Sequence, residues 1–71
     1  MELSARNQLV GTVKSVKKDS LMAEVVVSIG GQELVSVITA SSAKRLGLKK
    51  GVKVAAVIKA TEVMIATAHQ R

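Results

Sequence analysis

Cysteine, proline and all three aromatic residues are missing from this 71-residue chain, and histidine occurs once. Without cysteine there can be no disulfide, no thiolate ligand and no cysteine nucleophile. The single histidine, His69, excludes a multi-histidine metal site within one chain. The five carboxylates form no motif with a hydroxyl and a histidine, so no general acid–base pair is visible. We therefore predict a protein that is not an enzyme and makes no direct protein-to-metal bonds.

Negative charge is also scarce, because 11 Lys and Arg stand against 5 Asp and Glu, for a formal net charge of +6. This excess attracts phosphate and keeps an OB-fold nucleic-acid-binding module open as an alternative function. Small barrels that bind single strands generally stack bases on aromatic rings, each worth about 1–3 kcal/mol. The chain has no such ring, so the sequence disfavours nucleic acid as the partner.

Long apolar runs are absent too, and none approaches the ~20 residues needed to cross a bilayer. Met1 and Glu2 do not open an apolar signal sequence. We expect a cytoplasmic protein with no membrane partner. The length predicts a single domain, residues 1–71, and such a small domain usually needs a ligand or partner subunits for robust stability.

The hydrophobic pattern predicts five strands and one helix. Gly30-Gly31 is a hairpin signal, and Gly11 suggests a bend inside the first strand. A short helix is expected at 39–47, because hydroxyl residues crowd its start and cations its last turn. The strands are expected at 8–16, 22–29, 32–38, 52–60 and 62–66. The order β-β-β-α-β-β is that of an OB-like five-stranded barrel, an all-β fold with one short helix.

Two of these strands, around 24–29 and 54–58, carry apolar residues at successive positions. Successive strand residues point to opposite faces. One face can fill the barrel, and the other would be an exposed apolar patch of the kind that marks an interface. We therefore expect a homo-oligomer.

Two polar segments stand out as candidate anion-binding elements. Ser4, Arg6 and Asn7 offer a hydroxyl, a guanidinium and an amide immediately before a strand. Such donors suit an anion, because they are directional and one carries a planar charged fork. Lys59 emerges at the end of an apolar strand and is followed by Ala60 and Thr61.

The string Ser-Ala-Arg-Asn-Gln-Leu-Val-Gly at 4–11 resembles the opening of the molbindins, small Mop-type molybdate-binding proteins with a TOBE-like domain. The resemblance continues through Ile-Thr-Ala-Ser-Ser at 38–42, Leu-Gly-Leu at 46–48 and Ile-Lys-Ala-Thr at 58–61. It implies an OB-like fold that binds molybdate or tungstate as an intact oxyanion, for intracellular molybdenum storage and homeostasis. It also implies a hexamer, a trimer of dimers, with Arg6 of one chain beside Lys59 of its neighbour.

The resemblance also assigns candidate site residues. Those implied to contact the oxyanion are Ser4, Ala5, Arg6, Thr39, Ser42, Lys59 and Ala60, with Ala5 and Ala60 acting through backbone N–H groups. A second group comprises Asn7, Ser41, Thr61 and His69. Spacing does not choose between Ser41 and Ser42, and a hydroxyl at a helix start also has a capping role worth ~1 kcal/mol. A purely structural oligomer that holds sulfate or phosphate incidentally is a further alternative.

Overall fold

The computed structural model describes residues 7–68. Four strands and one α-helix account for most of them: β1 (Asn7–Lys18), β2 (Met22–Ile29), β3 (Gln32–Thr39), α1 (Ala40–Arg45) and β4 (Lys53–Ile58). A 3-10 helix, Ala60–Glu62, follows β4. The first three predicted strands and the short helix between the third and fourth strands are confirmed, and the whole resembles a compact OB-like fold.

The four strands form one antiparallel sheet in the order β3-β2-β1-β4. The long strand β1 pairs with β4 through Asn7–Thr12 and with β2 through Thr12–Lys18. It pairs with both because it lies between them in the sheet and offers one edge to each. The register with β2 shifts between Val13 and Ser15, where an inserted residue bends the strand.

Gly11 permits the closest approach between β1 and β2. A Cβ atom at this position would lie 2.5 Å from the carbonyl oxygen of Ser28 and 2.7 Å from the side chain of Ile29. Only glycine fits such an approach without displacing a neighbour. The predicted bend in this strand is therefore achieved by two features, the close approach at Gly11 and the bulge two residues later.

The core is small and made of short side chains. The buried apolar residues are Val13, Ala23, Val25, Val27 and Ala43. Other apolar residues, among them Ile38, Leu48 and Val54, pack around them while remaining partly exposed. The opposite faces of β3 and β1 expose Val35, Val37 and Val10. A core of this size leaves much apolar surface uncovered in the single chain.

The two tight turns have identifiable causes. Gly30 and Gly31 have φ of 53° and 84°, which is the left-handed region that a two-residue hairpin loop requires. In the β1–β2 turn, Asp19 Oδ1 accepts the backbone N–H groups of Leu21 and Met22, each at 2.8 Å. These bonds stabilise the carboxylate and hold the pKa of Asp19 below its ordinary value.

The predicted fifth strand, 62–66, is wrong for the single chain. Val63 is extended, with φ −99° and ψ 124°, yet residues 63–66 join no strand in the described part of the chain. The preceding 3-10 helix, closed by a 2.9 Å bond from Glu62 N–H to the Lys59 carbonyl, also ends β4 at Ile58 rather than at residue 60.

The helix is shorter than predicted, running from Ala40 to Arg45 instead of across 39–47. Thr39 has extended backbone angles and belongs to β3, and it caps the helix with its side chain. Within residues 7–68, no helix has the length and apolar character needed to span a bilayer.

Candidate functional site

A cluster of hydroxyl groups lies where β3 meets α1. Thr39 Oγ1 accepts the backbone N–H of Ser42 at 3.1 Å and donates to Ser42 Oγ at 2.8 Å. Ser41 Oγ lies 3.3 Å from Thr39 Oγ1. The structural and functional interpretations of Thr39 are therefore compatible, since the same hydroxyl caps the helix and organises the cluster.

Arg45 joins this cluster, although it was predicted only as a cation in the last helical turn. Its Nη2 atom lies 3.4 Å from Ser42 Oγ. A signal for the contact was present, because residues three apart on a helix are neighbours. Arg45 and Ser42 have that spacing.

Lys59, Ala60 and Thr61 form the second group, at the far end of β4. Lys59 is exposed and precedes the 3-10 helix with extended backbone angles, and its carbonyl closes the first turn. Ala60 begins that helix, so its N–H lies where no acceptor exists within the helix. Asn7 pairs with Ile58, the residue directly before Lys59. The start of β1 and the end of β4 therefore meet at this group.

Several predicted contact residues lie outside the described residues: Ser4, Ala5, Arg6 and His69. The roles assigned to them stay predictions. The structure brings the remaining predicted residues together in two groups. The hydroxyl cluster contains Thr39, Ser41 and Ser42. The group at the end of β4 contains Asn7, Lys59, Ala60 and Thr61.

The two groups do not meet within one chain. Thr39 lies opposite Met22 at the beginning of β2, beside the end of β1, whereas Ile58 pairs with the first residue of β1. Between these two pairings the chain runs along most of the 12-residue strand β1, a path of roughly 35 Å at about 3.3 Å per residue. The two groups belong to opposite edges of the sheet. Within residues 7–68, no side-chain hydrogen bond of the hydroxyl cluster reaches Lys59, Ala60 or Thr61.

The electrostatics of both groups favour an anion. Within residues 7–68 a single ion pair is present, between Lys14 and Glu33. Neither Lys59 nor Arg45 is therefore neutralised by a carboxylate of the described chain. No group of three His, Cys, Asp or Glu side chains gathers in this part of the molecule to hold a bare metal ion.

A separate, apolar groove has a volume of about 530 Å³. None of the predicted anion contacts lines it. Its walls come from β2, β3, β4 and the segment after β4, and include Val27, Leu34, Ile38, Val54, Ile58 and Val63. Apolar walls of this kind suit an apolar occupant.

Comparison with known proteins places these features in context. The TOBE domain family matches residues 3–65. Molybdenum-pterin-binding protein 3 of Clostridium pasteurianum is 52% identical over 66 residues, which cover 92% of this chain and 97% of the relative. A molybdate-binding protein from Sporomusa ovata superposes with a TM-score of 0.90 at 43% identity, covering 94% of this chain and all of that one.

A third relative was solved with molybdate bound. It is the cytoplasmic molybdate-binding protein ModG, whose structure superposes with a TM-score of 0.81 at 46% identity. The match covers 84% of this chain and 43% of the ModG chain. Three similar proteins are thus named for molybdenum, molybdenum-pterin or molybdate binding.

Proposed function

This chain belongs to the TOBE domain family, and from that membership we propose that it binds molybdate, and tungstate as its close analogue, as an intact oxyanion. The observation that carries the proposal is the match over most of the chain to ModG, a protein solved with molybdate bound. Its biological role would be intracellular storage and homeostasis of molybdenum in the cytoplasm. The activity is binding and not catalysis.

The chemistry of the two groups supports an oxyanion ligand. Hydroxyl and backbone N–H groups donate to anionic oxygens without adding charge. The hydroxyl cluster at Thr39 and Ser42 and the N–H of Ala60 supply such donors. Lys59 adds a cation that no carboxylate within residues 7–68 neutralises. Sharing a dianion among neutral donors avoids burying several bare cations, whose desolvation is costly.

We further propose that the sites are shared between subunits. The separation of the Lys59 group from the hydroxyl cluster within one chain supports this arrangement. Arg6 of one subunit would lie beside Lys59 of its neighbour, with Ser4 and Ala5 contributing from the same segment. Ligand binding would then stabilise the assembly together with the fold.

The apolar surface supports the assembly itself. Residues 63–65 pair with no strand within residues 7–68. The side chains of Val63, Met64 and Ile65 are 45%, 93% and 89% exposed. The apolar groove lies between two free sheet edges, β3 and β4. An extended apolar segment of a second copy would place its side chains against the apolar walls of this groove, and its backbone could pair with the N–H and C=O groups of a free strand edge. We propose a homo-oligomer, a hexamer built as a trimer of dimers.

Calorimetric titration of the purified protein with molybdate, tungstate and sulfate at matched ionic strength tests the binding. We expect saturable binding of molybdate and tungstate and much weaker binding of sulfate, because all three carry the same charge and only a shaped site separates them. Native mass spectrometry of the same samples should report a hexamer with bound oxyanion. Equal heats for sulfate and molybdate would contradict the proposal, and salt-sensitive retention of a labelled single strand would favour nucleic acid instead.

A further inference from the structure

The hydroxyl groups of Thr39, Ser41 and Ser42 carry three protons, and the hydrogen bonds within their cluster account for two of them. A hydroxyl group has one donor and two acceptor positions. Thr39 Oγ1 donates its proton to Ser42 Oγ at 2.8 Å. Since that proton is committed, the 3.3 Å contact between Thr39 Oγ1 and Ser41 Oγ has Ser41 as its donor. The protons of Thr39 and Ser41 both point into the cluster.

Ser42 is in the opposite situation. Its Oγ accepts the Thr39 hydroxyl at 2.8 Å and the Arg45 Nη2 group at 3.4 Å. With both acceptor positions filled, Ser42 is the one of the three hydroxyl groups whose proton has no acceptor inside the cluster. Such a group donates to an anion and cannot accept from a cation.

We propose that Arg45 is a positioning residue of the oxyanion site, which occupies the second acceptor position of Ser42 and so commits the Ser42 hydroxyl to donate to molybdate. This inference rests on the proposed function. It also selects Ser42 over Ser41 as the hydroxyl that contacts the anion, a choice that the spacing in the sequence left open.

The charge of Arg45 fits this role. Arg45 is exposed, and no carboxylate within residues 7–68 pairs with it. Its contact with Ser42 is at the long end of the hydrogen-bond range, so we expect its effect on affinity to be moderate. Lys44, its neighbour in the same helical turn, is exposed and has no bond to the cluster. Lys44 is therefore a matched control for the loss of one positive charge.

The test is a double-mutant cycle on the full chain, with molybdate affinity measured by calorimetric titration. Arg45→Met keeps side-chain length and helix propensity but removes the donor and the charge. We expect it to weaken binding about fivefold, as is typical for coupled neighbours, and Lys44→Met to change affinity less than about twofold. Arg45→Lys restores a donor and a charge, and should recover part of the loss.

The decisive comparison uses Ser42→Ala. If Arg45 acts through the Ser42 hydroxyl, Arg45→Met should change affinity less than about twofold once that hydroxyl is gone. An equal loss in both backgrounds would overturn the inference, because Arg45 would then act as an independent charge, and the proposed function would stand. Equal effects of Arg45→Met and Lys44→Met would also overturn it. A wild-type protein that binds no molybdate would overturn both proposals. Unchanged far-ultraviolet circular dichroism verifies that each variant is folded.

Discussion

Lys59 illustrates how much a single residue's position in the fold determines its chemistry. It lies at the junction of β4 and the 3-10 helix, exposed, beside the start of β1. The apolar strand before it predicted this position from the sequence. The role of Arg45 was not predicted. Its three-residue spacing from Ser42 on the helix was visible, but such spacing shows only that the side chains are neighbours and not which atoms they bring into contact.

Lys59→Ala should weaken molybdate binding about ten- to a hundredfold, because one charge-assisted contact is worth about 1.5–3 kcal/mol. The fold should be unaffected, since the side chain is exposed. Calorimetric titration measures the affinity, with Lys53→Ala as the control. Lys53 is an exposed cation at the other end of the same strand. Equal affinities for both variants would show that Lys59 contributes only general surface charge.

Gly11→Ala should destabilise the fold by about 1–3 kcal/mol, the usual cost of overpacking. The new Cβ would meet the Ser28 carbonyl oxygen at 2.5 Å and the Val27 side chain at 2.8 Å, and the backbone atom cannot move aside cheaply. Urea denaturation at a fixed protein concentration measures the free energy of unfolding. Gln8→Ala, at an exposed position in the same strand, should stay within about 0.5 kcal/mol of the wild type. Equal stability of the two variants would contradict the close approach.

At the scale of elements, the sequence correctly predicted those that depend on contacts between residues close together in the chain. Gly30-Gly31 predicted the hairpin, and the β-branched residues of 22–29 predicted β2 with its observed bounds. The fifth strand failed for a physical reason. Residues 63–65 have strand-like composition, but a strand also needs a paired neighbour, and these residues pair with no strand within residues 7–68. Sequence patterns report the preference of a segment and do not report which chain supplies its partner.

The β1–β2 turn should make stability depend on acid pH through Asp19. Its pKa in the folded chain lies below the ordinary value of an aspartate, because the N–H groups of Met22 and Leu21 stabilise the carboxylate. A lowered folded-state pKa contributes stability that is present above the unfolded pKa and is lost as the pH falls through the folded value. Asp19→Asn should therefore lower Tm at pH 7.

The same difference in Tm should shrink as the pH is lowered from about 5 towards 3, because the wild-type carboxylate is then protonated as well. Differential scanning calorimetry across this range measures it. Glu24→Gln is the control, since that carboxylate is exposed on the neighbouring strand and accepts no backbone bond of this kind. A difference in Tm that stays constant with pH would mean that the Asn side chain disrupts the turn for another reason.

At the scale of the whole molecule, the single chain buries few apolar side chains and leaves many exposed. Its core consists of valine and alanine side chains, and the groove beside β3 and β4 is apolar and open. A domain of this size gains little net stability from a core alone. Burying a few hundred Å² of apolar surface would add several kcal/mol, at ~25 cal/mol per Å². The two strands with apolar residues at successive positions led to the prediction of partner subunits. The exposed apolar residues 63–65 offer a surface for such a contact.

If residues 63–65 pack against a second copy as proposed, Met64→Asp should shift the protein to smaller species, because the substitution would place an unpaired charge in an apolar contact. In the single chain Met64 is 93% exposed, so the substitution costs the fold of one chain almost nothing. Sedimentation velocity at micromolar concentration measures the size of the assembly. Gln32→Asp, which introduces the same charge at an exposed hairpin position, should leave it unchanged.

The effect of Met64→Asp on thermal stability distinguishes an interface from a merely exposed side chain. If the residue packs against a second copy, Tm of the wild type should rise with protein concentration, and Tm of the variant should be lower and less dependent on it. Molybdate should restore part of the loss if its sites lie between subunits, since a ligand at a hundredfold excess over its Kd adds about 2.7 kcal/mol to the state that binds it. A variant that sediments and melts like the wild type would exclude Met64 from any contact between chains, and the unpaired segment would then be a surface feature of a monomeric fold.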